Sequence, residues 1–307
     1  MNRSCDIFGR RIGIQFAVLA VTAFLSLQIA QHAQASPTTR PDQAPAQVRA
    51  LHVVLYDDTG AAHDSIESIE NSLKAQTPGD YSIRRTSGQA IRNGVLDWAD
   101  VAIFPGGSGH AQAKSLDPAG REKIRQFVER GGGYLGIDGG AYLATTYYPW
   151  SLNIINATIV DRAHWARGQA QLRLDLNTAG KQLLASQADS LFCDYNEGPL
   201  LGPDNKPDLP AYQPLATFGT EVAENGAPAG VMIGTHAMIR AVFGHGRVLL
   251  ISPHPEQTDG LGFIVRAAVK WISQPEITAN PLTGDTTNAQ AALRPPLAPI
   301  TQSASSK

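Results

Sequence analysis

The feature that most constrains this chain is an alternation of short apolar runs with helical patterns, beginning at Leu51 and continuing to Thr145. Leu51 to Tyr56 reads as a buried strand, and Ile66, Ile69 and Leu73 then recur at helical spacing. Tyr81 to Arg85 is a weaker strand. Val101 to Phe104 is another buried run, and it stops at Pro105, Gly106 and Gly107. A helix follows, with Asp117 as its cap, Pro118 at its first position, Ile124, Phe127 and Val128 on one face, and Gly131 just past its end. Tyr134 to Ile137 is the fourth strand and runs directly through Asp138, Gly139 and Gly140 into a short helix, Ala141 to Thr145. Parallel strands need crossovers, and helices between successive strands supply them. The expected fold is therefore α/β, with a mostly parallel sheet between two helical layers.

The second half is richer in strands. Leu152 to Val160, Leu172 to Leu176, Ser190 to Tyr195, Gln213 to Phe218 and Ala229 to Ile233 are expected strands. Ala237 to Phe243 and Arg247 to Ile251 flank Gly244, His245 and Gly246, a hairpin turn. A last helix, Leu261 to Ile272, carries Ile264, Ala268 and Trp271 on one stripe that can close the domain against the sheet. Residues 49–274 thus form one expected domain.

The ends differ from this core. Arg3, Arg10 and Arg11 precede an apolar run from Ile12 to Ala30, and Ala33, Gln34 and Ala35 follow it, the layout of an export signal cut after Ala35. Residues 1–35 are the expected signal peptide, with an uncleaved anchor as the alternative reading. The pair Arg10 and Arg11 leaves a twin-arginine route open. The mature chain is then expected to be periplasmic or secreted, with no membrane attachment. Residues 36–48 and 275–307 are rich in Pro, Ala and Thr and read as a linker and a tail. The 307 residues carry 25 Lys plus Arg against 27 Asp plus Glu, and losing the leader shifts the net charge from −2 to −4. No basic field is present to neutralise phosphates, so nucleic acid is not an expected partner. The two cysteines, Cys5 and Cys193, fall on opposite sides of that cut, which excludes an internal disulfide and a cysteine-built metal site in the mature chain. Cys193 reads as a small buried apolar residue.

Open parallel sheets place their sites beyond the carboxyl ends of strands. Three segments fall there: Phe104-Pro105-Gly106-Gly107-Ser108-Gly109-His110, Gly136-Ile137-Asp138-Gly139-Gly140, and Ser252-Pro253-His254-Pro255-Glu256. The second has the spacing of a nucleophile elbow with Asp where Ser or Cys is usual. Asp138 either projects from that sharp turn or caps the helix behind it. His254 with Glu256 has the form of a base oriented by a carboxylate. Gly106 and Gly107 can offer N–H groups to an anion, or simply make a tight turn. A metal or sugar site using Asp138, His254 and His110 is a further reading, although no ligand spacing ties them together.

In order and content these segments resemble the class I glutamine amidotransferase-like superfamily, and within it the biotin-protein ligase N-terminal-like domain. The run from Phe127 to Tyr142 and the motif Tyr195-Asn196-Glu197-Gly198-Pro199 carry the resemblance with the segments above. It implies a flavodoxin-like three-layer α/β/α fold. It also implies triad-equivalent positions at Asp138, His254 and Glu256, and ligand-facing backbone at Gly106, Gly107 and Gly139. Asp138 stands where the resemblance expects the cysteine. A carboxylate is a poor nucleophile toward an amide and its product would be an anhydride, so glutaminase activity is not expected. The resulting expectation is a non-catalytic protein that binds a small ligand or a protein partner, without cofactor or metal. The alternative is a hydrolase with Asp138 as nucleophile, assisted by His254 and Glu256.

Overall fold

The computed structural model describes residues 49–75 and 79–274; the expected signal peptide, linker and tail lie outside them. Eleven strands build one sheet: β1 (Leu51–Tyr56), β2 (Tyr81–Thr86), β3 (Val101–Phe104), β4 (Gly133–Ile137), β5 (Ala157–Ile159), β6 (Gln169–Leu176), β7 (Ser190–Asn196), β8 (Leu201–Pro203), β9 (Gln213–Phe218), β10 (His236–Phe243) and β11 (Gly246–Ile251). The order is β2-β1-β3-β4-β11-β10-β9-β6-β7, with β5 and β8 pairing beside β10. From β2 to β11 neighbours are parallel, and from β11 to β7 they are antiparallel. The sheet is therefore mixed, with its parallel half made by the alternating first part of the chain and its antiparallel half by the strand-rich second part.

Helices cover both faces. Ile66, Ile69 and Leu73 of α1 (His63–Lys74) pack in one core with Ile264, Val265 and Ala268 of α6 (Gly262–Ile272). The other core holds Ile91 of α2 (Gly88–Arg92), Leu116 and Ile124 of α3 (Gly109–Glu129), and Ala141 of α4 (Gly139–Ala144). A further short helix, α5 (Thr178–Leu184), joins the first core through Ala179 and Leu184. Since the strands at the centre are covered on both sides, β3, β4 and β11 are buried at every position, which explains their continuous apolar runs.

Several expectations need correction. The helix expected from Asp117 is preceded by another that starts at Gly109. Asp117 sits at the break (φ 53°), and its Oδ1 accepts the N–H groups of Ala119 (2.7 Å) and Gly120 (3.1 Å), so it does cap the second segment. Leu152 to Val160 contains only the three-residue β5, because Leu152 and Ile154 donate their N–H groups to the carbonyls of Leu143 and Ala144 behind α4. Ala229 to Ile233 is no strand. Gly230 and Gly234 adopt positive φ on either side of Met232, which is buried while Ile233 faces outward, so the segment turns instead of extending.

Candidate functional site

The pairing register brings the three expected segments together. Phe104 of β3 pairs with Gly136 of β4, and Ile137 of β4 pairs with Ile251 of β11. All three strands run in the same direction, so Pro105 to Gly107, Asp138 and the His254 loop leave the sheet side by side. Asp138 also donates its backbone N–H to Ile251 O at 2.9 Å.

The elbow is built by close backbone approach. A Cβ on Gly136 would stand 2.4 Å from Gly140 O, and one on Gly140 would stand 2.1 Å from Phe104 O. Only glycine allows strand, turn and helix to meet so tightly. Asp138 at the apex has φ 44° and ψ −103°, a conformation that costs an L-residue on the order of 1–3 kcal/mol. Its side chain makes no capping hydrogen bond to α4; the backbone carbonyl of Asp138 accepts the N–H groups of Ala141 and Tyr142. Asp138 Oδ2 instead accepts the Gly107 N–H at 2.9 Å and lies 3.8 Å from His254 Nε2. Of the two readings of this residue, the structure supports projection into the site.

His254 is held from behind. Its Nδ1 lies 2.9 Å from Glu256 Oε1, and Ser65 Oγ donates to the same oxygen at 2.8 Å. Ser65 Oγ in turn accepts the Gly106 N–H at 3.0 Å. The turn expected to offer two N–H groups to a ligand therefore offers one: Gly106 is tied to Ser65, and Gly107 alone faces the carboxylate. Gly106 still has to be glycine, since a Cβ would lie 2.8 Å from His254 Cε1. Gly139 lies under Gly107, whose carbonyl oxygen would be 2.5 Å from a Cβ there.

Asp138, His254 and Glu256 are 7%, 4% and 7% exposed, so their charges interact through little water. Burial pushes the Asp138 carboxyl up to about 6, against the opposing pull of His254 and of the Gly107 N–H. For His254 burial acts downward, but the hydrogen bond and charge of Glu256 and the charge of Asp138 outweigh it and lift the imidazole to about 9. The two shifts favour a protonated His254 at neutral pH, held between the side chains of Asp138 and Glu256. His254 Nε2 has no hydrogen-bond partner, and neither has Glu256 Oε2.

Above this centre opens a cleft of about 650 Å³ whose lining includes Asp138, His254, Asp64, Glu197, Tyr142 and Trp150. His110 is also on the wall, where its ring lies 5.7 Å from that of Trp150. Among the described residues no group of three His, Cys, Asp or Glu side chains is placed to hold a metal ion. The Tyr195-to-Pro199 motif reaches the site as well, since Asn196 and Glu197 line the cleft and the Glu197 carbonyl accepts the Tyr142 hydroxyl at 3.1 Å. Cys193 is buried beside Thr258, next to the backbone of the His254 loop, and burial pushes its thiol up to about 12.

Sequence reasoning missed Ser65, Asp64 and the aromatic wall. Ser65 is 191 residues from the carboxylate it bonds and carries no local motif. The wall had a signal in Tyr147-Tyr148-Pro149-Trp150, a dense aromatic run directly after the elbow helix.

Residues 51–164 match the family model described as biotin-protein ligase, N terminal. This stretch contains the glycine turn and Asp138 but ends before His254. No curated protein matches the sequence. Among solved structures, PurLQS from Thermotoga maritima is 14% identical, with a TM-score of 0.51 over 73% of this chain and 100% of its own. A glutamine amidotransferase from the same organism is 8% identical, with a TM-score of 0.47 over 74% of this chain and 99% of its own. The chain has the glutamine amidotransferase-like fold, a single α/β domain with a mixed, largely parallel sheet.

Proposed function

We propose that this chain, with a glutamine amidotransferase-like fold and a carboxylate at its elbow, is an exported protein that binds a small organic ligand in the cleft and does not hydrolyse glutamine. The observation that carries the reading is the 2.9 Å hydrogen bond from the Gly107 N–H to Asp138 Oδ2. In amide hydrolysis such an N–H stabilises the oxyanion that forms when a nucleophile adds to the carbonyl. Here the side chain at the nucleophile position already fills it with a negative charge. An incoming oxyanion would have to displace that carboxylate and share the space with it. His254, already protonated at neutral pH, is also poorly suited to accept a proton from a nucleophile or water.

The test is ammonia release from glutamine by the purified protein. None above background is expected at neutral pH; release that disappears in His254→Ala overturns the proposal.

One observation favours the hydrolase alternative. The strained elbow at φ 44° places a carboxylate at the apex, where it can meet an electrophile. Asp138 would attack an sp³ carbon, expel its leaving group and form an alkyl ester, which water would then cleave. That second step needs neutral His254, so turnover would rise toward pH 9. Mass-spectrometric trapping of an ester on Asp138 with halide or epoxide substrates would establish this reading, and an unmodified Asp138 across such a panel counts against it.

A further inference from the structure

The cleft has a chemical bias that its central residues alone do not explain. Its wall is aromatic: the Tyr148 and Trp150 rings stack with centroids 4.3 Å apart and planes within 7°, and Tyr142 tilts against Tyr148 at 6.4 Å. Trp165 stands at the mouth with 54% of its surface exposed. The charged lining contains three carboxylates and no lysine or arginine. Among the described residues, Asp64 and Glu197 form no ion pair with a basic side chain, whereas the His254 cation is already matched by Glu256 and Asp138. The field facing the cavity is therefore negative, and anionic ligands are disfavoured. Aromatic faces are also electron-rich, so wall and carboxylates favour the same kind of group, a cation. Next to this wall, the Tyr147 ring already carries the Arg162 guanidinium over its face at 4.3 Å.

Two details narrow the cation. A bare ammonium could donate to a carboxylate on one side only, and its remaining N–H groups would face aromatic rings with few acceptors, whereas an alkylated ammonium is held by charge and ring contact without needing those bonds. On the floor, His254 Nε2 is buried without a hydrogen-bond partner and borders the cleft, where it can donate to an oxygen. We propose that the cleft takes a compact alkylated ammonium compound bearing a hydroxyl or ether oxygen, its cationic head against Trp150 and Tyr148 near Glu197 and its oxygen accepting from His254. The inference rests on the ligand-binding reading above and adds the chemical class.

The experiment is calorimetric titration of the full chain with choline, with 3,3-dimethylbutan-1-ol as the uncharged compound of the same shape, and with methyl glucoside. Choline is expected to bind at least about tenfold more tightly than the uncharged analogue, and more weakly as salt is raised. Glu197→Gln and Trp150→Ala are each expected to weaken choline about fivefold or more, with thermal unfolding confirming that the variants are folded. If Trp150→Ala does not fold, Glu197→Gln decides. Equal binding of choline and its analogue overturns the inference, as does no choline binding up to about 50 mM. Glucoside binding in preference to choline, lost in the Trp150 variant, overturns the cation class while leaving a binding cleft. Glutamine turnover by the same preparations overturns the non-catalytic reading instead.

Discussion

Raising the pH from 6 to 10 tests the electrostatics of the centre through stability. The His254 pKa is lifted from an ordinary 6.5 to about 9 in the folded protein, while the unfolded chain keeps the ordinary value. Below pH 6.5 both states hold the proton and the full contribution of the Glu256 and Asp138 contacts is present. Between 6.5 and 9 the folded state holds a proton that the unfolded state has released, so stability falls as pH rises. Above 9 neither state holds it and the contribution is gone. A difference of roughly 2.5 pH units corresponds to about 3 kcal/mol, which we take as the upper bound of the effect. The assay is urea unfolding of the full chain in steps across this range, for the wild type and for His254→Gln. The variant carries the contributions of groups remote from the centre, so the pH-dependent part of the difference belongs to His254 together with Asp138, whose carboxyl is pushed further up once the neighbouring imidazolium is gone. A decline of about 2–3 kcal/mol, complete near pH 9 to 10, is expected. Parallel profiles for the two proteins would refute the reasoning, because they would mean that His254 titrates alike in both states.

Other substitutions probe the elbow and the core. Asp138→Asn removes a carboxylate that burial disfavours and keeps a residue that tolerates positive φ; it is expected to stabilise by about 1–2 kcal/mol at pH 8, with the gain shrinking toward pH 4 in thermal melts. Gly140→Ala forces a Cβ to 2.1 Å from Phe104 O and is expected to cost about 3 kcal/mol or more, read as a lowered Tm or loss of soluble protein; a variant of unchanged Tm would show that the elbow can relax. Asp138→Cys puts a thiol beside the His254 imidazolium, and peptide mapping is expected to find it alkylated by iodoacetamide at pH 7 far faster than Cys193. Cys193 itself, buried and with its thiol pushed up to about 12, is expected to stay unlabelled until urea is added.

The parallel half of the fold was legible because each of its central strands is covered on both faces, which leaves an unbroken apolar run such as Val101 to Phe104 that ends where glycines begin. The elbow was legible for a related reason: Gly136 and Gly140 are fixed by backbone contacts within a few residues, so spacing alone describes the turn. The antiparallel half read less cleanly. Ala229 to Ile233 has a strand's composition, but the glycines at 230 and 234 turn it, and burial of Met232 satisfies the apolar content without a ladder. Whether Asp138 caps or projects depends on where the Gly107 N–H lies, a contact across 31 residues. Ser65 was invisible because its partners, Gly106 and Glu256, are joined only by the folded sheet.

The account turns on the carboxylate that occupies the Gly107 N–H, and the amide proton of Gly107 reports on it directly. In a pH series of nitrogen-edited NMR spectra, that resonance is expected to lie downfield and to titrate with a midpoint near 6, following ionisation of Asp138. The same titration is expected to vanish in Asp138→Asn. A Gly107 amide that does not respond between pH 4 and 8, or responds identically in the variant, would contradict the claim that Asp138 fills the position an oxyanion needs.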